Sequence, residues 1–143
     1  MLKGISPLIP PELLKILAEM GHGDEIVLGD ANFPAVSVGR RVVRCDGIGV
    51  REMLDAVLAL LPLDAYVPAP VALMATVPGE KVTQPPIWQE IRETVEKHAP
   101  GTQLEWIERF AYYERSKNAF AVVQTGETAL YANVILKKGV IGK

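Results

Sequence analysis

Apolar residues recur along this chain in two rhythms. From Pro10 to Met20 the positions Leu13, Leu14, Ile16, Leu17 and Met20 fall on one helical face, with proline at the entry and Gly21 as the stop. Met53, Leu54, Val57, Leu58 and Leu61 repeat the spacing across Val50 to Leu61, where Pro62 ends it. Ile87, Trp88, Ile91 and Val95 mark a third helix that opens on Pro85 and Pro86 and closes near His98. Phe110 to Asn118 reads as a short fourth.

The second rhythm is the short apolar run. Glu25 to Leu28, Arg41 to Cys45 and Val71 to Val77 are bounded by glycine, aspartate or proline and read as buried strands. Leu104 to Ile107 alternates weakly, and Phe120 to Gln124 and Val134 to Leu136 are rich in β-branched residues around a Thr-Gly-Glu turn. Strands and helices interleave, which predicts an α/β layered domain with helices on the faces of its sheet. The last two strands are joined too closely for a helical crossover, so the sheet should be mixed.

Length and composition narrow this further. At 143 residues and 49% hydrophobic, the chain suits a single domain, 1–143, able to bury about 70% of its unfolded surface. Pro62 to Pro70, Pro78 to Pro86 and His98 to Thr102 are loops of ordinary length between periodic segments. The one cysteine, Cys45, closes no intrachain disulfide, and two histidines with no CxxC leave no zinc spacing. A reducing cytoplasm fits. The longest uncharged run, Ala65 to Gly79, is too short and proline-rich to cross a bilayer, so no membrane partner is expected. The net charge of -2, with basic residues scattered, argues against nucleic acid.

Candidate chemistry is sparse. The Gly21-His22-Gly23 triplet follows a helix instead of preceding one and lacks the phosphate-loop patterns. His22 is open to two readings, a surface residue favoured by the helix dipole or a proton-transfer group titrating near neutrality. Asp30 can orient a partner or simply cap its own turn. An extended strand between them would hold the two side chains apart. Cys45 reads as a small core residue, there is no GxSxG elbow, and Glu105 with Glu108 is the one candidate carboxylate pair. Arg109, Phe110, Tyr112, Tyr113 and Glu114 combine charge with aromatic faces as sugar sites do, although core packing is the simpler account of Phe110 and Tyr113.

Five ordered motifs, LLKILAEMGHGDEI (13–26), DANFPA (30–35), RFAYYER (109–115), FAVVQTGE (120–127) and YANVILKKGV (131–140), carry a resemblance over nearly the whole chain to the fucose mutarotase and ribose pyranase family. That resemblance implies a three-layer α/β/α sandwich with a mixed sheet that forms rings, commonly a decamer of two stacked pentamers with sites near subunit contacts. It implies a reaction without cofactor or metal on a free monosaccharide. RFAYYER and LKKGV look like the fucose branch, so L-fucose is the favoured substrate. Position 32 is asparagine where that branch commonly has histidine, and Ala132 stands where it has glycine, which keeps D-ribose pyranase activity open beside it. A non-catalytic sugar-binding accessory protein is the competing class. At matching positions the resemblance implies a proton donor at His22 and substrate contacts at Asp30, Arg109, Tyr131, Ala132 and Asn133, with Asn32 a further contact. The base that takes the anomeric proton stays open among Tyr131, Asp30 and water.

Overall fold

The computed structural model describes residues 1–142. Its elements run α1 (Pro11–Glu19), β1 (Glu25–Gly29), α2 (Ala35–Val38), β2 (Val42–Cys45), α3 (Val50–Leu58), β3 (Val71–Met74), α4 (Ile87–His98), β4 (Leu104–Ile107), α5 (Arg109–Asn118), β5 (Ala121–Thr125) and β6 (Val134–Lys137). The six strands form one sheet in the order β2-β5-β1-β6-β3-β4. β1 pairs parallel with β5, β5 with β2 and β3 with β4, while β6 lies antiparallel to both β1 and β3. Five strands therefore point one way, and β6 alone runs against them.

The sheet is mixed, as the short β5–β6 connection implied. These two strands are nevertheless not neighbours, because β1 stands between them. The connection crosses the carboxyl end of β1 and delivers residues 130–133 to that edge.

Alternation along each strand builds two cores. Ile26 and Leu28 face α1, α3 and α4 together with Val43, Leu73, Val123 and Leu136. Val27 points the other way and joins Ala72, Val122 and Ile135 against Phe33, Ala35, Tyr112 and Ala119 from the α2 and α5 side. Helices thus cover both faces in three layers. Each central strand is buried on both sides, which is why its sequence reads as an unbroken apolar run.

Some boundaries differ from expectation. The run through Val77 leaves the sheet after Met74: Ala75 N–H still bonds Ile107 O at 2.8 Å, but β4 ends there and offers no further partner. The helix from Val50 is regular only to Leu58, with a turn bridging to Pro62. The four-residue α2 has too little length for a periodicity to be visible. Phe110 is not core: it is 67% exposed, and α5 instead packs through Tyr112 and Ser116, one turn apart and both buried. Tyr113 is half-buried against Phe33. Among the described residues no helix is long and apolar enough to cross a membrane.

Candidate functional site

The common direction of β1, β3, β4 and β5 brings their carboxyl ends to one edge of the sheet, where ligand crevices of α/β folds form. Asp30 and Asn32 follow β1, Met74 ends β3, Arg109 begins the helix after β4, and Tyr131 and Asn133 lead into the reversed β6. With Phe33, Val77, Glu80, Tyr113 and Leu130 they line a pocket of about 230 Å³. That is below the roughly 300 Å³ at which drug-sized sites begin, and it suits a small molecule.

Asp30 is its most constrained member. Its backbone N–H donates to Asn133 Oδ1 at 2.8 Å, and Asn133 Nδ2 donates back to Asp30 Oδ2 at 3.2 Å. Asn32 N–H donates to Oδ1 at 2.9 Å, so Asp30 does cap its own turn. The turn is tied to β5, since Thr125 Oγ1 donates to the Gly29 carbonyl at 2.6 Å and Gln124 Nε2 to the Asp30 carbonyl. Burial raises the Asp30 carboxyl above its ordinary range, opposed by the hydrogen bonds of Asn32, Asn133, Phe33 and Ala132. Ala132 is fully buried and offers only its backbone. Gly29 lets the turn close, because a Cβ there would lie 2.6 Å from Phe33 Cβ.

Arg109 and Tyr131 line the same pocket. Arg109 Nε donates to Tyr113 Oη at 3.3 Å, with its guanidinium 5.5 Å from the Phe110 and Tyr113 ring centres. The Tyr113 contact pushes its pKa further up, so it is always a cation. Tyr131 has φ 61°, its carbonyl accepts from Trp88 Nε1 at 3.0 Å, and its phenol donates to Glu80 Oε2 at 3.0 Å. Asp30, Asn32, Arg109, Tyr131 and Asn133 therefore converge.

His22 does not join them. It precedes β1 at the other edge of the sheet, and the five residues of β1 alone span about 16 Å. There His22 Nε2 lies 3.1 Å from Asp64 Oδ1, and its ring rests 5.3 Å from that of Tyr66. Asp64 is buried, and its carboxyl is held below the usual range by the Tyr66 N–H first and the His22 contact second. A carboxylate only accepts, so Nε2 carries the proton and Nδ1 is the nitrogen free to act. The His22 ring is 45% exposed and borders an apolar hollow of about 500 Å³ lined by Leu17, Met20, Leu60, Pro62, Val140 and Ile141.

The other candidates have structural employment. Glu108 is the N-cap of α5, accepting from Phe110 and Ala111 N–H at 3.0 Å each, and Glu105 accepts from Arg115 at 2.7 Å. Neither lines the pocket that holds Asp30. Cys45 is buried in β2, where burial pushes its thiol up. His98, at the end of α4, meets Asp55 Oδ1 at 2.7 Å. No sequence pattern singles out Asp64 and Glu80, two lone acids in loops that pair with His22 and Tyr131, 42 and 51 residues away.

Comparison with known proteins agrees with this architecture. The pattern of the "RbsD / FucU transport protein family" matches residues 3–141. The fucose mutarotase of Homo sapiens is 54% identical over 145 residues, covering 98% of this chain and 94% of that protein. The crystal structure of the fucose mutarotase of Streptococcus pneumoniae in complex with L-fucose superposes with a TM-score of 0.92 at 50% identity, over 99% of this chain and all of that one. RbsD of Bacillus subtilis complexed with D-ribose is more distant, at 25% identity and a TM-score of 0.73 over 99% of this chain and all of that one.

Proposed function

Since the chain belongs to the RbsD/FucU family, we propose that it is an L-fucose mutarotase, interconverting the α and β anomers of the free sugar. The observation that carries the reading is the convergence of Asp30, Arg109, Tyr131 and Asn133 in one small pocket. Hydroxyls both donate and accept, and this pocket offers carboxylate, amide, phenol and guanidinium together. Phe33, Met74 and Tyr113 supply apolar surface for the C–H faces of a sugar. A phosphorylated sugar is disfavoured, because one arginine stands among two carboxylates, Asp30 and Glu80.

Mutarotation moves two protons. The anomeric hydroxyl loses one, the ring oxygen gains one, C1 opens to the aldehyde, turns and closes on the other face. A half-time of hours corresponds to a barrier of about 22 kcal/mol. Acid-base catalysis of about 10² to 10⁴-fold lowers it by about 3 to 5 kcal/mol.

In this reading Asp30 and Asn133 hold sugar hydroxyls, Arg109 donates to others, the Ala132 peptide and Asn32 complete the contacts, and His22 acts as the imidazolium: Nε2–H stays on Asp64 while Nδ1–H gives its proton to the ring oxygen, leaving the neutral Nε2–H ring. His22 reaches the sugar only if a second copy places its His22 edge over the pocket. Exposed apolar residues border both edges, Tyr66 and Ile141 beside His22, Phe110 and Leu130 beside the pocket. Such a contact joins two different surfaces, and heterologous contacts close into a ring when the rotation between copies divides a full turn. A ring of this kind accords with the homo-oligomer that the family resemblance implies, a decamer of two stacked pentamers, and a lone buried thiol accords with the cytoplasm.

Saturation-transfer NMR on the anomeric protons tests this. Enhanced exchange for L-fucose, lost in folded His22→Ala, is the expected result. Preference for D-ribose moves the protein to pyranase activity. The family description names transport, so a sugar-binding accessory role is the second reading, and binding without exchange favours it.

A further inference from the structure

Tyr131 is pinned in two ways, and the peptide explains only the first. Its backbone sits at φ 61°, a left-handed conformation that bulky side chains rarely adopt, and the Trp88 indole holds its carbonyl. The phenol is held separately by the loop between β3 and α4. Its oxygen accepts from Val77 N–H at 3.4 Å and donates its one proton to Glu80 Oε2 at 3.0 Å. Glu80 is itself steadied, since Oε1 accepts from Lys81 N–H at 3.1 Å.

A phenol whose proton is committed to a carboxylate can only accept from a third partner. Both Tyr131 and Glu80 line the pocket that holds Asp30. Asp30 has no such mobile proton opposite it: its oxygens face the amide N–H of Asn32 and Nδ2 of Asn133, neither of which gives up a proton. Glu80 Oε2 faces an ionisable hydroxyl.

We propose that Glu80 is the proton-holding residue of the site and acts through Tyr131 as the base for the anomeric hydroxyl. The inference rests on the mutarotase reading. As the anomeric O–H proton passes to Tyr131 Oη, the phenol proton passes to Glu80 Oε2. The electron pair left on the anomeric oxygen forms the carbonyl, the bond from C1 to the ring oxygen breaks, and that oxygen takes a proton from the acid of the site. Ring closure reverses each transfer: the ring hydroxyl gives its proton back to the acid, and Glu80 returns one through Tyr131 to the new anomeric oxygen. Nothing is oxidised, and the protein ends as it began. Glu80 does not touch the reacting atoms, so it is a positioning residue and Tyr131 the contact.

The test is a double-mutant cycle on fucose exchange with Glu80→Gln, Tyr131→Phe and the pair, plus Glu80→Ala with added formate. The expected result is a maximal rate lowered about 100-fold in Glu80→Gln with KM within about threefold of wild type. Glu80→Gln should add no further loss in the Tyr131→Phe background, and formate should restore rate to Glu80→Ala. A rate within about threefold of wild type, a rise in KM alone, or independent additive losses overturns the inference while leaving the mutarotase reading intact. Wild-type protein that exchanges no sugar overturns both.

Discussion

Asp30 and Asn133, 103 residues apart in sequence, hold each other by a reciprocal pair of hydrogen bonds at 2.8 and 3.2 Å. One bond fixes the backbone at the end of β1 and the other aims a carboxylate into the pocket, so one asparagine serves the fold and the site together. Asn133→Ala leaves the buried Asp30 N–H without its acceptor. The expected cost is about 1–3 kcal/mol in urea unfolding, together with weaker sugar binding.

His22 and Asp30 lie on opposite edges of the sheet, and the proposed chemistry needs both at one sugar. Folded His22→Ala and Asp30→Ala variants are each expected to lose exchange activity, and co-refolding them should restore a fraction of it. Mixed rings would contain sites with an intact His22 from one copy and an intact Asp30 from the next. Activity that stays absent in mixed oligomers of verified composition argues for sites made within single copies.

The two buried aspartates respond to pH with opposite sign. Burial raises Asp30, so its protonated form favours folding: that contribution is full below the ordinary carboxylate value of 3.8 and is lost as pH rises through the higher folded value. Asp64 is lowered by the Tyr66 N–H and His22, so its contribution is present above 3.8 and lost as pH falls through the lower folded value. Urea midpoints across the acid range should therefore show the gap between wild type and Asp64→Asn narrowing on acidification. In the proposed site Asp30 holds the sugar as a carboxylate, so the acid limb of fucose exchange is expected above the ordinary aspartate range, and NMR titration of the Asp30 carboxyl measures the same shift directly.

Gly126 follows β5, and a Cβ there would lie 1.8 Å from the Asp46 carbonyl oxygen. Backbone cannot swing aside as a side-chain tip can. Gly126 N–H also bonds Ile48 O, and the next residue, Glu127, accepts from Ala31 N–H, each at 2.8 Å. Gly126→Ala is expected to cost about 3 kcal/mol or more and to disturb the Asp30 turn through Ala31, seen as a lowered Tm and weakened sugar binding.

Much of this architecture was legible beforehand. Apolar spacing of 3.6 located α1, α3 and α4, and short apolar runs located the strands, because both signals arise within a few residues of chain. The motifs carrying Asp30, Arg109 and Tyr131 likewise pointed to their positions. Phe110 was misjudged as core because α5 turns a different stripe, Tyr112 and Ser116, toward the sheet with Tyr113 packed at its margin, and a ten-residue helix rich in charged residues does not reveal which stripe it will bury. Asp64 and Glu80 were missed because a lone acid in a loop carries no period.

By itself the sequence determined the longer helices, the strands and the alternation that sends Val27 to one core and Ile26 and Leu28 to the other. Local dihedral preference and the period of side-chain direction suffice for these. Only the tertiary structure decided that β6 inserts between β1 and β3, which sets Tyr131 and Asn133 beside Asp30 and leaves His22 with Asp64 at the far edge. The place of β6 is settled by pairing between segments more than 60 residues apart, where burial of whole faces and completion of backbone hydrogen bonds outweigh anything a short window of sequence encodes.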